Sequence, residues 1–206
     1  MRHKLGILLM IAGTALVLGA LGLFLQNRQE EEVALKSASE AMAEIRYEIA
    51  AAEQTSPAED PELQTPVELL NPEDLIMTEK EIKGHMYIGY LSIPDLKLDL
   101  PVMSEWSYYK LRTSPCRYSG TTRGKDLVIL AHNYQSHFGQ ISKLQEGSEV
   151  YFTDMDGKVW RYEVVVLDVL ADEDVEEMTA GEYDLTLFTC TKDRVHRHTI
   201  RCNLVN

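Results

Sequence analysis

From His85 to its end, the chain breaks into short β-prone runs separated by turn residues, and this limits its fold more than any other feature. Residues 87–93, 98–102, 127–130, 149–153, 159–170, 185–189 and 198–204 are rich in Val, Ile, Leu, Tyr, Phe and Thr and predict strands. Asp156-Gly157, between two of these runs, predicts a hairpin turn. Many short strands with little helix predict a closed barrel or a sandwich. No internal repeat is visible.

The segment before this β region has a different character. Residues 5–26 are almost entirely apolar and follow Arg2, His3 and Lys4. At about 1.5 Å per residue, a helix of this length spans a hydrocarbon core of roughly 30 Å. A cleaved signal peptide has the same basic start, but its apolar core is only about 7–15 residues long. Here apolar residues continue through Leu25, past the weak cleavage-site match at Ala20-Leu21-Gly22. The expectation is an uncleaved signal anchor, with residues 1–4 cytoplasmic and the rest of the chain external. Residues 29–54 lack Gly and Pro and predict a helix. Its apolar positions, Val33, Leu35, Ala38, Met42, Ile45 and Ile49, are only roughly in helical register, which predicts a stalk or weak partner helix, not part of a core. Residues 55–72 carry four prolines among many acids and read as an extended linker that holds the following domain away from the bilayer. A short helix over 73–83 would lead into that domain. The expected organisation is 1–4 cytoplasmic, 5–26 membrane anchor, 27–85 acidic stalk and linker, and 86–206 the β domain.

Of the net charge of −13, residues 29–85 contribute −11, from 15 acidic and 4 basic side chains. The acidity therefore belongs to the stalk, where solvation and repulsion from an anionic surface explain it. Without a basic patch, nucleic acid is disfavoured as a partner. Of three cysteines, Cys116, Cys190 and Cys202, at least one is a free thiol unless a bridge forms between chains. Cys116 and Cys202 are either paired or two buried structural thiols. No CxxC pair supports a zinc ribbon or a thioredoxin-type site.

The chemistry concentrates at two strand tips. The run Thr186-Leu187-Phe188-Thr189-Cys190 ends on a cysteine, and Asp126-Leu127-Val128-Ile129-Leu130-Ala131 leads to His132. A thiol nucleophile needs a partner that favours its thiolate, and acyl transfer needs a donor for the developing oxyanion. Arg194, Arg197 and Arg201 all follow the cysteine within reach of the next strand, and strand alternation puts Arg197, Thr199 and Arg201 on one face.

Thr186–Cys190 matches the TLxTC signature of the sortases, the membrane-anchored cysteine transpeptidases of bacterial surfaces, and the chain resembles that family over roughly residues 86–204. Tyr87-Ile88-Gly89-Tyr90-Leu91-Ser92-Ile93-Pro94 is similar to the family's opening strand, with Leu100-Pro101-Val102 closing the next. Asn133-Tyr134-Gln135-Ser136-His137-Phe138-Gly139 is similar to the loop after its histidine. Sortases usually carry a glycine before that histidine, whereas Ala131 stands here.

The resemblance implies an eight-stranded sortase-type β-barrel with Cys190 as nucleophile, His132 as acid and base, and Arg197 as the arginine. Arg194 is the second choice for that role. Thr189 would help hold the substrate or the cysteine strand. The implied reaction cleaves an LPxTG-like sorting signal of a surface protein through a thioacyl enzyme and transfers it to an amine. That amine would come from a peptidoglycan precursor or a lysine of another protein. No organic cofactor is expected. Some sortases bind Ca²⁺ beside the loop before the cysteine strand, where Asp172, Glu173, Asp174, Glu176 and Glu177 lie, but an acidic run is by itself a solvated loop. His137 and His196 near the cysteine raise zinc, without the spacing of a zinc motif. The short loop over 171–183 would shape the substrate groove. The other readings are a sortase-fold cysteine hydrolase and a non-catalytic, surface-anchored binding domain.

Overall fold

The structure, a computed structural model, describes residues 2–55, 75–180 and 182–205. The predicted linker over 55–72 lies outside them except for Thr55, which ends the first helix. Helix α1 runs Arg2–Thr55. It is followed by strands β1 (Lys80–Ile82), β2 (His85–Ile93), β3 (Leu98–Met103), β4 (Cys116–Ser119), β5 (Leu127–Leu130), β6 (Glu149–Asp154) and β7 (Val159–Ala171), then a one-turn helix α2 (Val175–Met178), β8 (Leu185–Cys190) and β9 (His196–Leu204).

The sheet order is β1-β2-β3-β4-β5-β8-β9-β7-β6, and a further pairing of β2 with β6 closes it. The closed part is an eight-stranded barrel from β2 to β9, with β1 added as a short hairpin on β2. The pairs β3–β4 and β5–β8 are parallel and the others antiparallel. All seven predicted strands are present within two residues at each end. Two were missed. Four-residue β4 contains a bulge, and β1 stands where part of a helix over 73–83 was expected. At the predicted turn, the Asp154 carboxylate accepts the amides of Asp156 and Lys158 and the indole N–H of Trp160. Gly89 is required where β6 crosses β2: its φ is +145°, and a Cβ there would sit 2.0 Å from the Thr153 carbonyl oxygen.

The barrel interior is filled by side chains alternating inward from every long strand, including Ile88, Leu91, Ile129, Phe152, Leu187 and Ile200. A second apolar cluster lies on the outside, where α1 covers the barrel. Ala41, Ile45 and Ile49 are buried there with Ile82, Tyr87, Met103, Leu111, Cys116 and Met155. The stalk expectation is corrected here. The second half of α1 is a packed element of the domain, continuous with the apolar first half, and Ile45 is fully buried. Arg46 bonds Asp99 at 2.8 Å and Lys83 bonds Glu40 at 2.8 Å, both at the surface, where they fix the helix's register more than they stabilise it.

Candidate active site

The site forms where β5, β8 and β9 end together. Strand β5 pairs in parallel with β8, Leu130 opposite Phe188. The register continues one step further, because Ala131 donates its amide to the Phe188 carbonyl at 3.2 Å. The Thr189 hydroxyl in turn donates to the Ala131 carbonyl at 2.7 Å across 58 residues of sequence. His132 and Cys190 directly follow Ala131 and Thr189, so the parallel pairing brings both to one pocket. On the other flank, Cys190 is the register partner of Arg197.

One pocket of about 170 Å³ is lined by Cys190, His132, Arg197 and Thr189 together. Its walls are mainly apolar, with Trp106, Tyr118, Leu130, Val175, Met178 and Phe188. The Trp106 ring stacks on Tyr118 at 5.7 Å between centroids, and Tyr118 meets Phe188 edge-on at 5.5 Å. The loop over 171–183, expected to shape the substrate groove, contributes Asp172, Val175 and Met178 to the lining of this pocket. The aromatic wall was missed in the sequence. Trp106, Tyr108 and Tyr109 fall between strands, and only their clustering in a segment without strand pattern could have marked them.

The three arginines separate by what they touch. Arg201 is 3% exposed; its Nε donates to Asp168 Oδ2 at 3.1 Å and its Nη1 to the Glu177 carbonyl at 3.0 Å, with the Tyr183 ring 4.9 Å away. It holds the β7–β8 loop and faces no part of the pocket. Arg194 is exposed on the β8–β9 turn at a positive φ of 66° and does not line the pocket. Arg197 does line it. Its Nη1 donates to the His196 carbonyl at 2.9 Å and its Nη2 lies 3.7 Å from Asp172 Oδ2.

His132 opens a tight loop in which Phe138 donates its amide to the His132 carbonyl at 3.1 Å. Gly139 turns so closely that a Cβ would lie 2.5 Å from the Asn133 carbonyl oxygen. The Tyr134 ring sits 4.8 Å from that of His132 and 5.5 Å from that of His137. Burial holds the His132 imidazole below the ordinary histidine range. Arg112 and Arg194 add to this, and Glu30 of α1 opposes it. The neutral imidazole is therefore favoured near neutral pH.

All three cysteines are free, and Cys190 alone is not buried. Cys116 faces the α1 cluster and Cys202 the barrel core, so the possible disulfide between them does not form. Burial pushes the Cys116 thiol up to about 12 and the Cys202 thiol upward as well. Among the described residues, no three His, Cys, Asp or Glu side chains converge as metal ligands. His137 is buried with neither ring nitrogen bonded, and the His196 Nδ1 bonds Asp193 at 2.9 Å. In the acidic run, Asp172 faces Arg197 and Asp174 accepts the Ala171 amide.

The fold and this constellation define a closed β-barrel protein with a half-exposed cysteine, a histidine and an arginine at one end. A sequence model of the sortase domain matches residues 91–205, more than half of the chain. The chain belongs to the sortase family, whose members are cysteine transpeptidases of surface proteins. Sortase A of Streptococcus agalactiae is 26% identical over 141 residues, covering 61% of this chain and 55% of that protein, so the match spans about half of that relative's length. The structure is similar to that of Streptococcus pneumoniae sortase C, with a TM-score of 0.59, 21% identity, and coverage of 81% of this chain and 97% of that one. It is also similar to sortase A from Corynebacterium diphtheriae, with a TM-score of 0.54, 22% identity, and coverage of 88% and 94%. At these identities the structural likeness speaks to the fold.

Proposed function

We propose that this chain is a membrane-anchored cysteine transpeptidase that cleaves a sorting signal similar to LPxTG and passes the acyl group to an amine. One observation carries the reading: Cys190, the sole cysteine that is not buried, lines one pocket with His132 and Arg197. The Cys190 thiolate attacks the scissile carbonyl carbon, and the carbonyl electrons move onto oxygen. The Arg197 guanidinium, a fixed positive charge, stabilises that oxyanion. As the oxyanion collapses, the C–N bond breaks and the imidazolium of His132 protonates the leaving amine. This leaves a thioester on Cys190 and a neutral His132. An incoming amine then attacks the thioester, its proton passes to His132, and the C–S bond breaks to return the thiolate. Burial lowers the affinity of His132 for protons and so disfavours its imidazolium form before substrate is bound.

The apolar walls suit the Leu-Pro portion of such a signal. The hydroxyl of Thr189 is committed to the Ala131 carbonyl, which favours its strand-holding role over direct substrate contact. The amine is that of a cell-wall precursor or of a lysine on another surface protein; the pneumococcal relative is described by its pilin substrate specificity. We read residues 5–26 as a single span with the barrel on the outer face, because this stretch is helical and apolar and residues 6–26 are exposed. No cofactor enters the scheme.

The test is a peptide-cleavage assay on the full chain with LPxTG-type peptides, with and without an amine acceptor. Ligated product that is lost in C190A, H132A and R197A supports the reading. Cleavage indifferent to the amine would make the protein a hydrolase, and no turnover of any peptide would favour a binding domain.

A further inference from the structure

Among the described residues, the exposed aromatic side chains outside α1 are Trp106, Tyr108 and Tyr109, at 39%, 79% and 73% exposure. All three lie on the β3–β4 connection at the mouth of the pocket. Trp106 and Tyr108 line it directly, their rings edge-to-face at 5.7 Å. Inward, the row continues through Tyr118 to Phe188, so it has a packed end and a solvent end. Three large rings left open to water on one loop call for a partner.

Helix α1 says which partner. Its apolar stretch ends at Leu25, and the helix continues without a break to Thr55. Six residues past Leu25, the Glu31 carboxylate accepts the Ser136 amide at 3.1 Å, in the loop that follows His132. Six helical residues rise about 9 Å. Each headgroup layer of a bilayer is about 5–8 Å thick. The His132 loop is therefore bonded to the helix about one headgroup layer beyond the end of its apolar stretch. The aromatic loop meets the His132 loop at this pocket: Trp106 and Tyr108 line it with His132, and the Arg112 amide bonds the Tyr109 carbonyl at 3.2 Å. Tyr and Trp rings with an apolar body and a polar edge favour the headgroup layer. Of the two cations beside them, Lys110 is paired with Glu105 at 3.6 Å, and the exposed Arg112 suits an anionic headgroup.

We infer that the mouth of the pocket docks on the surface of the phospholipid bilayer, with Trp106, Tyr108 and Tyr109 in the headgroup layer. This rests on residues 5–26 spanning the bilayer. It replaces the expectation of a domain held away from the membrane. Substrate and acceptor are then met at the lipid surface, and a segment held close to the bilayer reaches Cys190 without crossing open solvent.

The chain has two tryptophans, which makes the test direct. Trp160 is buried in the barrel core, with its indole N–H on Asp154 at 2.9 Å, and serves as the internal reference. The full chain is reconstituted into nanodiscs containing anionic phospholipid, with or without lipids brominated near the headgroup end of the acyl chain. The difference between wild type and Trp106→Phe reports Trp106 alone. Quenching of the Trp106 emission several-fold greater than that of Trp160 supports the docked mouth. Equal, weak quenching of both in a chain that co-migrates with nanodiscs would overturn the docking and leave the anchor standing. A chain that does not co-migrate with nanodiscs would overturn both.

Discussion

Thr189 and Ala131, 58 residues apart in sequence, are joined by a 2.7 Å hydrogen bond from the threonine hydroxyl to the alanine carbonyl. Each is the residue immediately before a member of the proposed catalytic pair. The bond therefore sets the spacing of His132 against Cys190 from inside the barrel, where both Thr189 and Ala131 are buried. Thr189→Val keeps the shape and removes the donor, leaving a buried carbonyl short of a partner at a cost of about 1–3 kcal/mol. The expected result is a lowered melting temperature and a kcat that falls more than KM changes, with Thr189→Ser restoring much of both. Equal kinetics in T189V and wild type would remove the positioning role.

Cys190 is the one cysteine that solvent reaches. Native protein treated with iodoacetamide should carry a single label, on Cys190, with Cys116 and Cys202 labelled only after unfolding. Peptide mapping reads this directly. A label on Cys116 in the folded state would mean that α1 does not cover the barrel as described.

Arg201 acts from behind the groove. It bonds Asp168 on β7 and the Glu177 carbonyl next to Met178, which is itself a wall of the pocket. Replacing Arg201 by Met releases the loop wall and strands a carboxylate that is partly open to water. The cost in stability is accordingly below the 3–5 kcal/mol of a fully buried pair, about 1–3 kcal/mol. KM for peptide should rise several-fold with kcat less affected, and Arg201→Lys should recover only part, since an ammonium lacks the forked geometry. A loss confined to kcat would point instead to direct participation in the reaction.

His137 makes the fold acid-sensitive. It is fully buried without a bonded ring nitrogen, and burial, aided by His132, pushes its pKa down to about 4. Because the folded value lies below the unfolded value of about 6.5, the unfolded chain takes up the proton first. The stabilisation is complete above pH 6.5 and is lost as pH falls toward 4. Over that window the wild type should lose up to about 1.4 kcal/mol per pH unit more than His137→Leu in denaturant melts. Parallel profiles for the two proteins would contradict the buried, neutral assignment.

Much of the barrel was legible because its strands follow period-two alternation bounded by turn residues, and the cysteine and histidine runs end at residues that line the pocket. The arginine was open among three, since alternation puts Arg197 and Arg201 on one face and cannot say which meets a loop and which a pocket. Helix α1 was misread because half of its packed face is alanine: Ala34, Ala38 and Ala41 join Met42, Ile45 and Ile49 in one buried stripe, which the exposed Val33 and Leu35 blur in the sequence. Strand β4 was too short and too bulged to show a period. The aromatic mouth lies on a connection with no period at all, and a linear pattern cannot show that Trp106 stacks on Tyr118.

The central claim is that Cys190 carries the acyl group between donor and amine. Intact mass spectrometry of the full chain incubated with an LPxTG-type peptide, followed by peptide mapping, tests it most directly. The account predicts a thioacyl adduct on Cys190 that is absent in C190A and is converted to ligated peptide when an amine is added. An adduct on another residue, or turnover that survives in C190A, would contradict it.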